Sequence, residues 1–345
     1  MIEIDGSYGE GGGQILRSSL SLSILTGKAC IIKNIRANRP NPGLRAQHLT
    51  AVRVAMEVSN ADVKGLEIGS KRLEFHPRDI EEGRYHFDIG TAGSVTLVLQ
   101  TILPISFLIS RPIELSLRGG TDVKWSPTWD YFVNVFLPII SKIGVDVEAE
   151  ILRRGFYPSG GGEVRAKINP LKRYSPLNLD EQDYQDVEGV ITVSKLREDI
   201  PRRIKHSIID YLIRKGVSAR IKVDRDDSSI SEGVSVTLWS CGKDSRVGSA
   251  HVGEKGLPSE KLGRLSADDI FKEMESRASL DVHMADQVLI YLAYLSAHHQ
   301  RFSRFLVREI TNHARTNAWL VERFLPVRIS MERKERLYEV QIRGI

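Results

Sequence analysis

Several stretches of this chain place phosphate-seeking groups where a helix would begin. Glu10-Gly11-Gly12-Gly13-Gln14-Ile15-Leu16-Arg17 follows a strand pattern and opens an apolar helix. Its glycines let the backbone approach a phosphate closely, and the helix start favours an anion. Glu10 adds a carboxylate, which beside phosphates points to Mg²⁺ or Mn²⁺ bridging. Gln14 and Arg17 lie on adjacent turns and reach the same ligand. A plain glycine turn capping a helix accounts for the same letters. No Gly-x4-Gly-Lys-Ser/Thr occurs in the chain, and Gln14 stands where Gly-x-Gly-x-x-Gly would need glycine, so both familiar nucleotide-binding motifs are excluded.

Further along, Arg36, Arg39 and Arg45 sit in a loop stiffened by Pro40 and Pro42. They form either a bidentate phosphate clamp or a solvated basic loop, and His48 reads as a cap or packing residue. Asp88 to Ser94 offers a second anion-binding helix start, with Gln100 on the following turns, or else a tight turn that needs glycine. In Gly119 to Asp130, the aromatics Trp125 and Trp129 together with Pro127 can stack on a base, or the tryptophans are core. Arg153 to Val164 combines two arginines, two aromatics and a glycine run, which suits either nucleic acid or an ordinary β-turn. Asp286 at a helix start is either a metal or ribose partner, with His283 beside it as a stacking surface, or simply a structural complement to the helix dipole. His313 lies in Asn312 to Asn317, a polar loop by its letters.

Three stretches share one order of elements, and this repeat is what singles out His313. The first reads as helix Ile15–Leu25, strand Ala29–Ile35, loop Arg36–Gln47, helix His48–Val58 and a β-hairpin ending near Phe75. The second reads as helix Ser94–Leu108, strand Ile113–Leu117, loop Arg118–Thr128, helix Trp129–Ile143 and strands Val145–Leu152 and Gly162–Ile168. The third reads as helix Ala285–Ala297, strand Arg304–Ile310, loop Thr311–Asn317, helix Ala318–Phe324 and strands Val327–Arg333 and Leu337–Ile342. The first two copies are about 84 residues apart and the next two about 191, so about 107 residues of insertion and loop slack separate them. The acidic run Asp180–Gln185 suits a boundary. Beyond it, Glu188–Val193, Pro201–Arg214, Ala219–Val223, Val234–Trp239 and Lys261–Arg277 read as a small α/β unit. The expected division is therefore 1–181 with 275–345 as one large domain and 182–274 as an insert. The three polar loops converge on one cleft if the copies pack about a common centre.

Composition narrows the class. The chain has 345 residues, 41% hydrophobic and 27% charged, the profile of a folded soluble protein. The net charge of +5 leans mildly toward a polyanionic partner. Only Cys30 and Cys241 are present, far apart, which speaks against zinc sites and a disulfide framework. The longest apolar run, Val95–Ser110, is interrupted by Thr101, Pro104 and Ser106, so no membrane span is expected. The N-terminus opens into Ile2-Glu3-Ile4-Asp5 without a signal-peptide pattern, and the expected location is cytoplasmic.

Together, Glu10–Arg17, Arg36–Val52, Thr91–Pro104, Arg154–Val164, Ala285–Leu289 and His313–Val327 resemble the RNA 3'-terminal phosphate cyclases. Val321-Glu322-Arg323-Phe324-Leu325-Pro326-Val327 is especially close, and the likeness runs in order through essentially the whole chain. The resemblance implies an α/β (α+β) fold of three βαβαββ-type repeats, similar to the C-terminal domain of translation initiation factor three, with a smaller α/β domain inserted before the last repeat. It also implies an ATP-dependent enzyme that turns an RNA 3'-phosphate into a 2',3'-cyclic phosphate. In the family, a histidine matching His313 is adenylylated by ATP and passes AMP to the RNA end. Neutral imidazole is a competent nucleophile near pH 7, and a phosphoramidate is reactive enough to hand AMP on.

The resemblance assigns Glu10 and Asp286 to the metal, Mg²⁺ or Mn²⁺. Gln14, Arg17, Arg39 and Gln47 match polar residues around the phosphates, and Gln100, Asp286 and Gln287 match positions lining the nucleotide. Pro127 and His283 match the pair that sandwiches adenine, although the family varies between His and Tyr at the latter position. Two rivals share the architecture. One is the set of cyclase-like ribosome-assembly proteins, which lack the nucleophilic histidine. The other is small-molecule transferases related to enolpyruvyl transferases.

Overall fold

The computed structural model describes all 345 residues. The first sheet joins β1 (Ile2–Asp5), β2 (Cys30–Lys33), β3 (Asp62–Lys64) and β4 (Leu73–His76) in the order β1-β2-β4-β3, with α1 (Gln14–Thr26) and α2 (Ala46–Val58) between its strands in sequence. The second joins β5 (Arg84–Asp88), β6 (Ile113–Gly119), β7 (Val147–Arg153) and β8 (Gly162–Ile168) in the order β5-β6-β8-β7. Its helices are α3 (Val95–Ile102) and a run from α4 (Trp129–Tyr131) to α5 (Leu137–Ile143).

Next in the chain come β9 (Asp186–Ser194), α6 (Asp199–Arg214), β10 (Ser218–Arg225), β11 (Gly233–Cys241), β12 (Arg246–Val252) and α7 (Ser259–Ser276), whose sheet has the order β10-β9-β11-β12. The chain ends with α8 (Met284–Gln287), α9 (Leu289–His299), β13 (Ser303–Val307), α10 (Asn312–Phe324), β14 (Val327–Lys334) and β15 (Leu337–Gly344). These last strands form a sheet ordered β13-β15-β14.

Three of these sheets share one plan. β1 runs parallel to β2 and β5 parallel to β6, while their other pairings are antiparallel. Beside β13 the corresponding place is held by a single parallel bridge from Asn178 to Arg304, with Arg304 N donating to Leu177 O and Leu179 N to Arg304 O. Alternation puts one face of each strand inward: in β6, Ile113, Leu115 and Leu117 are buried while Glu114, Ser116 and Arg118 are not. The helices cover the inward faces, and one continuous core of 69 buried residues runs through the three sheets.

Helix α1 is the hub, packing on α2, α3, α9 and α10. It is buried all round, and its inner turns carry small serines, of which Ser21 donates to Thr101 O and Ser23 to Lys28 O, both at 2.6 Å. A second core of 15 residues lies between the β9–β12 sheet and helices α6 and α7.

Some boundaries differ from expectation. Thr311–Asn317 is not a loop but the cap and first turns of α10, with the Thr311 hydroxyl accepting from Ala314 N. The polar letters mislead because the residues this helix buries in its first turns include the polar Thr316 and Asn317, the latter donating to the Asp286 carbonyl. Helix Ser94–Leu108 is α3 followed by a 3-10 turn at Leu103–Phe107, where Pro104 supplies no donor. Helix Ala285–Ala297 breaks at Val288. β5 and β12 have no counterpart in the sequence pattern. No helix is long and apolar enough to cross a membrane, and Cys30 and Cys241 are unpaired.

Buried charge joins the two cores. Arg154 is almost fully enclosed, donating to Asp130 Oδ1 at 2.9 Å and to Asp122 Oδ2 at 3.3 Å. Both carboxylates also accept from the β9–β12 sheet: Asp130 Oδ2, itself 2.9 Å from Arg154 Nη1, from Thr192 Oγ1, and Asp122 Oδ1 from Ser235 Oγ, both at 2.9 Å. Burial pushes the Asp122 carboxyl upward, and the Arg154 guanidinium opposes that shift. Removing one partner of such a set leaves uncompensated buried charge, which costs about 3–5 kcal/mol. Arg154→Met should therefore lower unfolding stability by about that amount, read from denaturant midpoints at unchanged slope. A loss below about 1 kcal/mol would mean the network is solvated.

Candidate active site

The loops that follow the parallel strands meet at one end of the three sheets. Gly13 has no side chain with which to cap α1, so the first amides of that helix stay open to an anion. The loop before it is glycine-rich because it is pressed on all sides. A Cβ on Gly13 would stand 2.4 Å from His48 Nε2, and one on Gly11, which has φ +59°, would stand 2.4 Å from the Asn38 amide. This packing brings the arginine loop against the head of α1.

Gln14, the first residue of α1, is the centre of the cluster. Its Nε2 donates to Asp286 Oδ2 at 2.8 Å, and its Oε1 is hydrogen-bonded to His313 Nδ1. On the other side of the ring, His313 Nε2 lies against Glu10 Oε2, a contact that becomes an ion pair only when the ring is protonated, and that buried oxygen makes no hydrogen bond. Glu10 pairs through its other oxygen with Arg39. Arg17, one turn along α1, feels Asp286 and Glu10 at longer range, and burial lowers its guanidinium to about 10. Burial also lowers the His313 imidazole, with Glu10 pulling the other way and Arg17, Arg39 and His283 adding to the lowering, so the ring favours its neutral form. Asp286 lies deep in the cleft with part of its side chain still wetted, and burial raises its carboxyl to about 7. Asn317, one turn after His313, donates to the Asp286 carbonyl at 2.7 Å, holding α10 and α8 together.

The remaining expected residues connect to this cluster. Gln100 Nε2 donates to Gln287 Oε1 at 2.5 Å, and Gln287 Nε2 to the His283 carbonyl at 2.9 Å. Thr96, one turn before Gln100, donates to the Pro127 carbonyl at 2.8 Å. Gln47 Oε1 accepts from Ser94 N at 3.0 Å, fixing the start of α3 against α2. Among the aromatics, Trp129 is core and Trp125 is 95% exposed. His48 is buried and neutral, lowered to about 3 by burial and then by Arg17, Arg36 and Arg45, as a packing residue should be.

Three further residues of the site do not stand out in the letters. Asp281 is fully buried, accepts from Tyr131 Oη, from Gly248 N and from the amides of His283 and Met284, and thereby sets the turn that carries His283. Its position just before a helix start is the available signal. Asn317 and Thr96 have none beyond being polar on a helix. No three His, Cys, Asp or Glu side chains form a ready-made metal cage.

Residues 8–331 match the family described as RNA 3'-terminal phosphate cyclase. Relatives bearing that name include one from Methanosarcina mazei, 41% identical over 99% of this chain and 100% of the relative. Another, from Methanopyrus kandleri, is 42% identical over 97% of this chain and 96% of the relative. A third, from Pyrobaculum aerophilum, is 38% identical over 100% and 98%. A solved enolpyruvyl transferase, NikO from Streptomyces tendae, aligns over 99% of this chain and 48% of its own at 6% identity and a TM-score of 0.37, too loose to bear on function. With nearly the whole length matched at this level of identity, the chain belongs to the RNA 3'-terminal phosphate cyclase family.

Proposed function

We propose that this enzyme uses ATP to convert RNA 3'-phosphate ends to 2',3'-cyclic phosphates, with AMP carried on His313. The observation that supports it most is the setting of His313. A neutral, half-exposed imidazole sits at the head of α10, held by Gln14 at the head of α1, with Arg17 and Arg39 beside it. Two helix starts and two guanidiniums around one nucleophile suit a triphosphate.

Three displacements follow. An imidazole nitrogen attacks the α-phosphorus of ATP; the P–N bond forms, the bond to the β-phosphate oxygen breaks, and pyrophosphate leaves. An oxygen of the RNA 3'-phosphate then attacks the same phosphorus, breaking P–N and restoring the imidazole. Finally the adjacent 2'-oxygen, losing its proton to solvent, attacks the terminal RNA phosphorus, closing the ring and expelling AMP. Arg17, Arg39 and the open amides of α1 balance charge on the phosphates. Pro127 and His283 are proposed to flank adenine, with Gln100 and Gln287 between them. Mg²⁺ or Mn²⁺ would be held by Glu10, whose buried Oε2 makes no hydrogen bond and suits a hard cation, together with Asp286. When bound, such an ion would supply charge neutralisation for the pyrophosphate leaving group.

The shared strand order supports reading the three sheets as copies of one βαβαββ unit, with 182–274 as a separately cored insert in a body formed by 1–181 and 275–345. Because residues 177–179 take the first strand's place beside β13, the insert interrupts the third copy after its first strand instead of preceding the copy. Two unpaired cysteines suit a reducing, cytoplasmic setting.

His313→Asn keeps size and some hydrogen bonding but removes the nucleophile. Protein labelled by α-phosphate-labelled ATP should vanish, and cyclic-end formation should fall to background; the wild-type adduct should be acid-labile and alkali-stable. A persisting adduct in His313→Asn would sink the assignment. Glu10→Ala should slow adenylylation by about 10²–10³-fold at fixed metal concentration; near-normal metal-dependent labelling would move the cation elsewhere.

A further inference from the structure

Helix α10 carries a second feature on a flank that the ATP site does not use, and its interpretation rests on the proposed action on RNA. Arg315, Trp319 and Arg323 stand four residues apart and so line one stripe of the helix. Tyr8 stacks on Trp319 with ring centres 4.0 Å apart and planes 14° from parallel, and the Arg323 guanidinium lies 4.8 Å from the centre of the same Trp319 ring. One face of Tyr8 is thus covered, yet the residue is 44% exposed, so its other face is open. Both arginines are exposed and neither pairs with a carboxylate; Glu322, beside Arg323, accepts from Ile329 N instead. We propose that Tyr8 and this stripe seat the RNA strand, with a base among its last two nucleotides stacked on Tyr8 and the flanking phosphates against Arg315 and Arg323.

The loop before α1 ties this stripe to the nucleophile. Residues 8–10 run along α10 toward its head: Tyr8 meets Trp319, Gly9 is pressed on Thr316, where a Cβ would stand 2.2 Å from the hydroxyl, and Glu10 lies against His313. Trp319 is six residues from His313, about 9 Å along the axis, so a strand whose last phosphate reaches His313 passes Tyr8 within its final nucleotides. The other flank is taken. Asn317, about 200° round the helix from Trp319, donates to the Asp286 carbonyl and draws α8 and the proposed adenine seat to that side. With AMP on that flank, the strand that receives it has the Tyr8 flank left for its approach. The loop does not need the Tyr8 ring for its shape, because Tyr8 N donates to Asp5 O, Gly11 N to Tyr8 O and Asn38 N to Gly11 O. A ring with one open face suits a base of any kind, since every base has a π face.

The test measures binding of a short single-stranded RNA with a 3'-phosphate and, separately, self-labelling by α-phosphate-labelled ATP without RNA. Tyr8→Leu keeps bulk against Trp319 but presents no π face. It should weaken RNA binding about 10–100-fold while changing self-labelling by less than about threefold. Tyr8→Phe keeps the face and should bind RNA as wild type does. Arg323→Gln should weaken binding and reduce the slope of log affinity against log salt by about 0.7. RNAs lacking the base of the last or of the next-to-last nucleotide locate the contact. One of them should bind wild type about 10–100-fold more weakly than intact RNA, and should bind Tyr8→Leu as well as intact RNA does.

Wild-type RNA affinity in Tyr8→Leu, equal weakening by Tyr8→Phe and Tyr8→Leu, or an unchanged salt slope in Arg323→Gln would each overturn the seat. So would base-less RNAs that lose the same factor in Tyr8→Leu as in wild type. Self-labelling that falls as far as RNA binding would make Tyr8 a brace for the loop of Glu10 and also overturn it. Binding needs no chemistry, so the two readings fail separately. RNA held through Tyr8 by an enzyme that forms no adduct on His313 keeps the seat and removes the nucleophile, and a normal adduct with RNA affinity indifferent to Tyr8 does the reverse.

Discussion

The site exists because Gln14 touches two residues that lie 272 and 299 positions further along the chain. Neither contact is local, and no single sheet of the protein can make them. They form only when the first and last sheets have packed their helices together around α1. The burial of α1 on all sides, including its serine turns, is the requirement that everything at the cleft inherits. A shift of α1 by one turn, about 5.4 Å, would part the histidine from the amide and leave Glu10 with only its arginine.

Much of this is legible in the letters, for identifiable reasons. The alternation in Gly162–Ile168 and the apolar spacing of Trp129–Ile143 are strong local signals, and the elements formed there match them. Strand β5 escapes because its alternation is of charged and aromatic residues with only Phe87 buried. Helix α10 reads as starting late because the residues it buries in its first turns are small or polar (Ala314, Thr316, Asn317), so the apolar periodicity that marks a helix is missing there. Glu10, Gln14, Arg39, Asp286 and His313 do come together; what the letters do not contain is the order of contact, in which Gln14 sits between Asp286 and His313. Nor can they show that Asp281, an acid with no obvious reactive role, sets the backbone under His283.

Buried charge has a different logic here from the apolar cores. Arg154, Asp122 and Asp130 sit where the smaller core meets the larger, and each carboxylate is held both by Arg154 and by a hydroxyl of the smaller part. Apolar contacts would hold the two parts together in many relative poses. Directional bonds to buried carboxylates hold only one, because a slide of an ångström or two leaves an acceptor stranded. Tyr131 and Gly248 meet on Asp281 in the same way, so the smaller part's placement is connected by one side chain to the turn that bears His283.

The chain leaves the larger part and returns to it at nearly one point: Gln182 N donates to Arg277 O at 3.0 Å, and Arg277 pairs with Glu181 and Asp183. A stretch whose ends are already clasped behaves like a bead hung from a closed ring. Its length can drift over evolutionary time without tugging on the strand registers of the frame that carries it, since loop-closure cost changes only slowly with contour length. What cannot drift is the handful of hydroxyls and amides with which the bead meets Asp122, Asp130 and Asp281. Divergence in this stretch should therefore run unevenly, free along the outer helices and held at Thr192, Ser235 and Gly248.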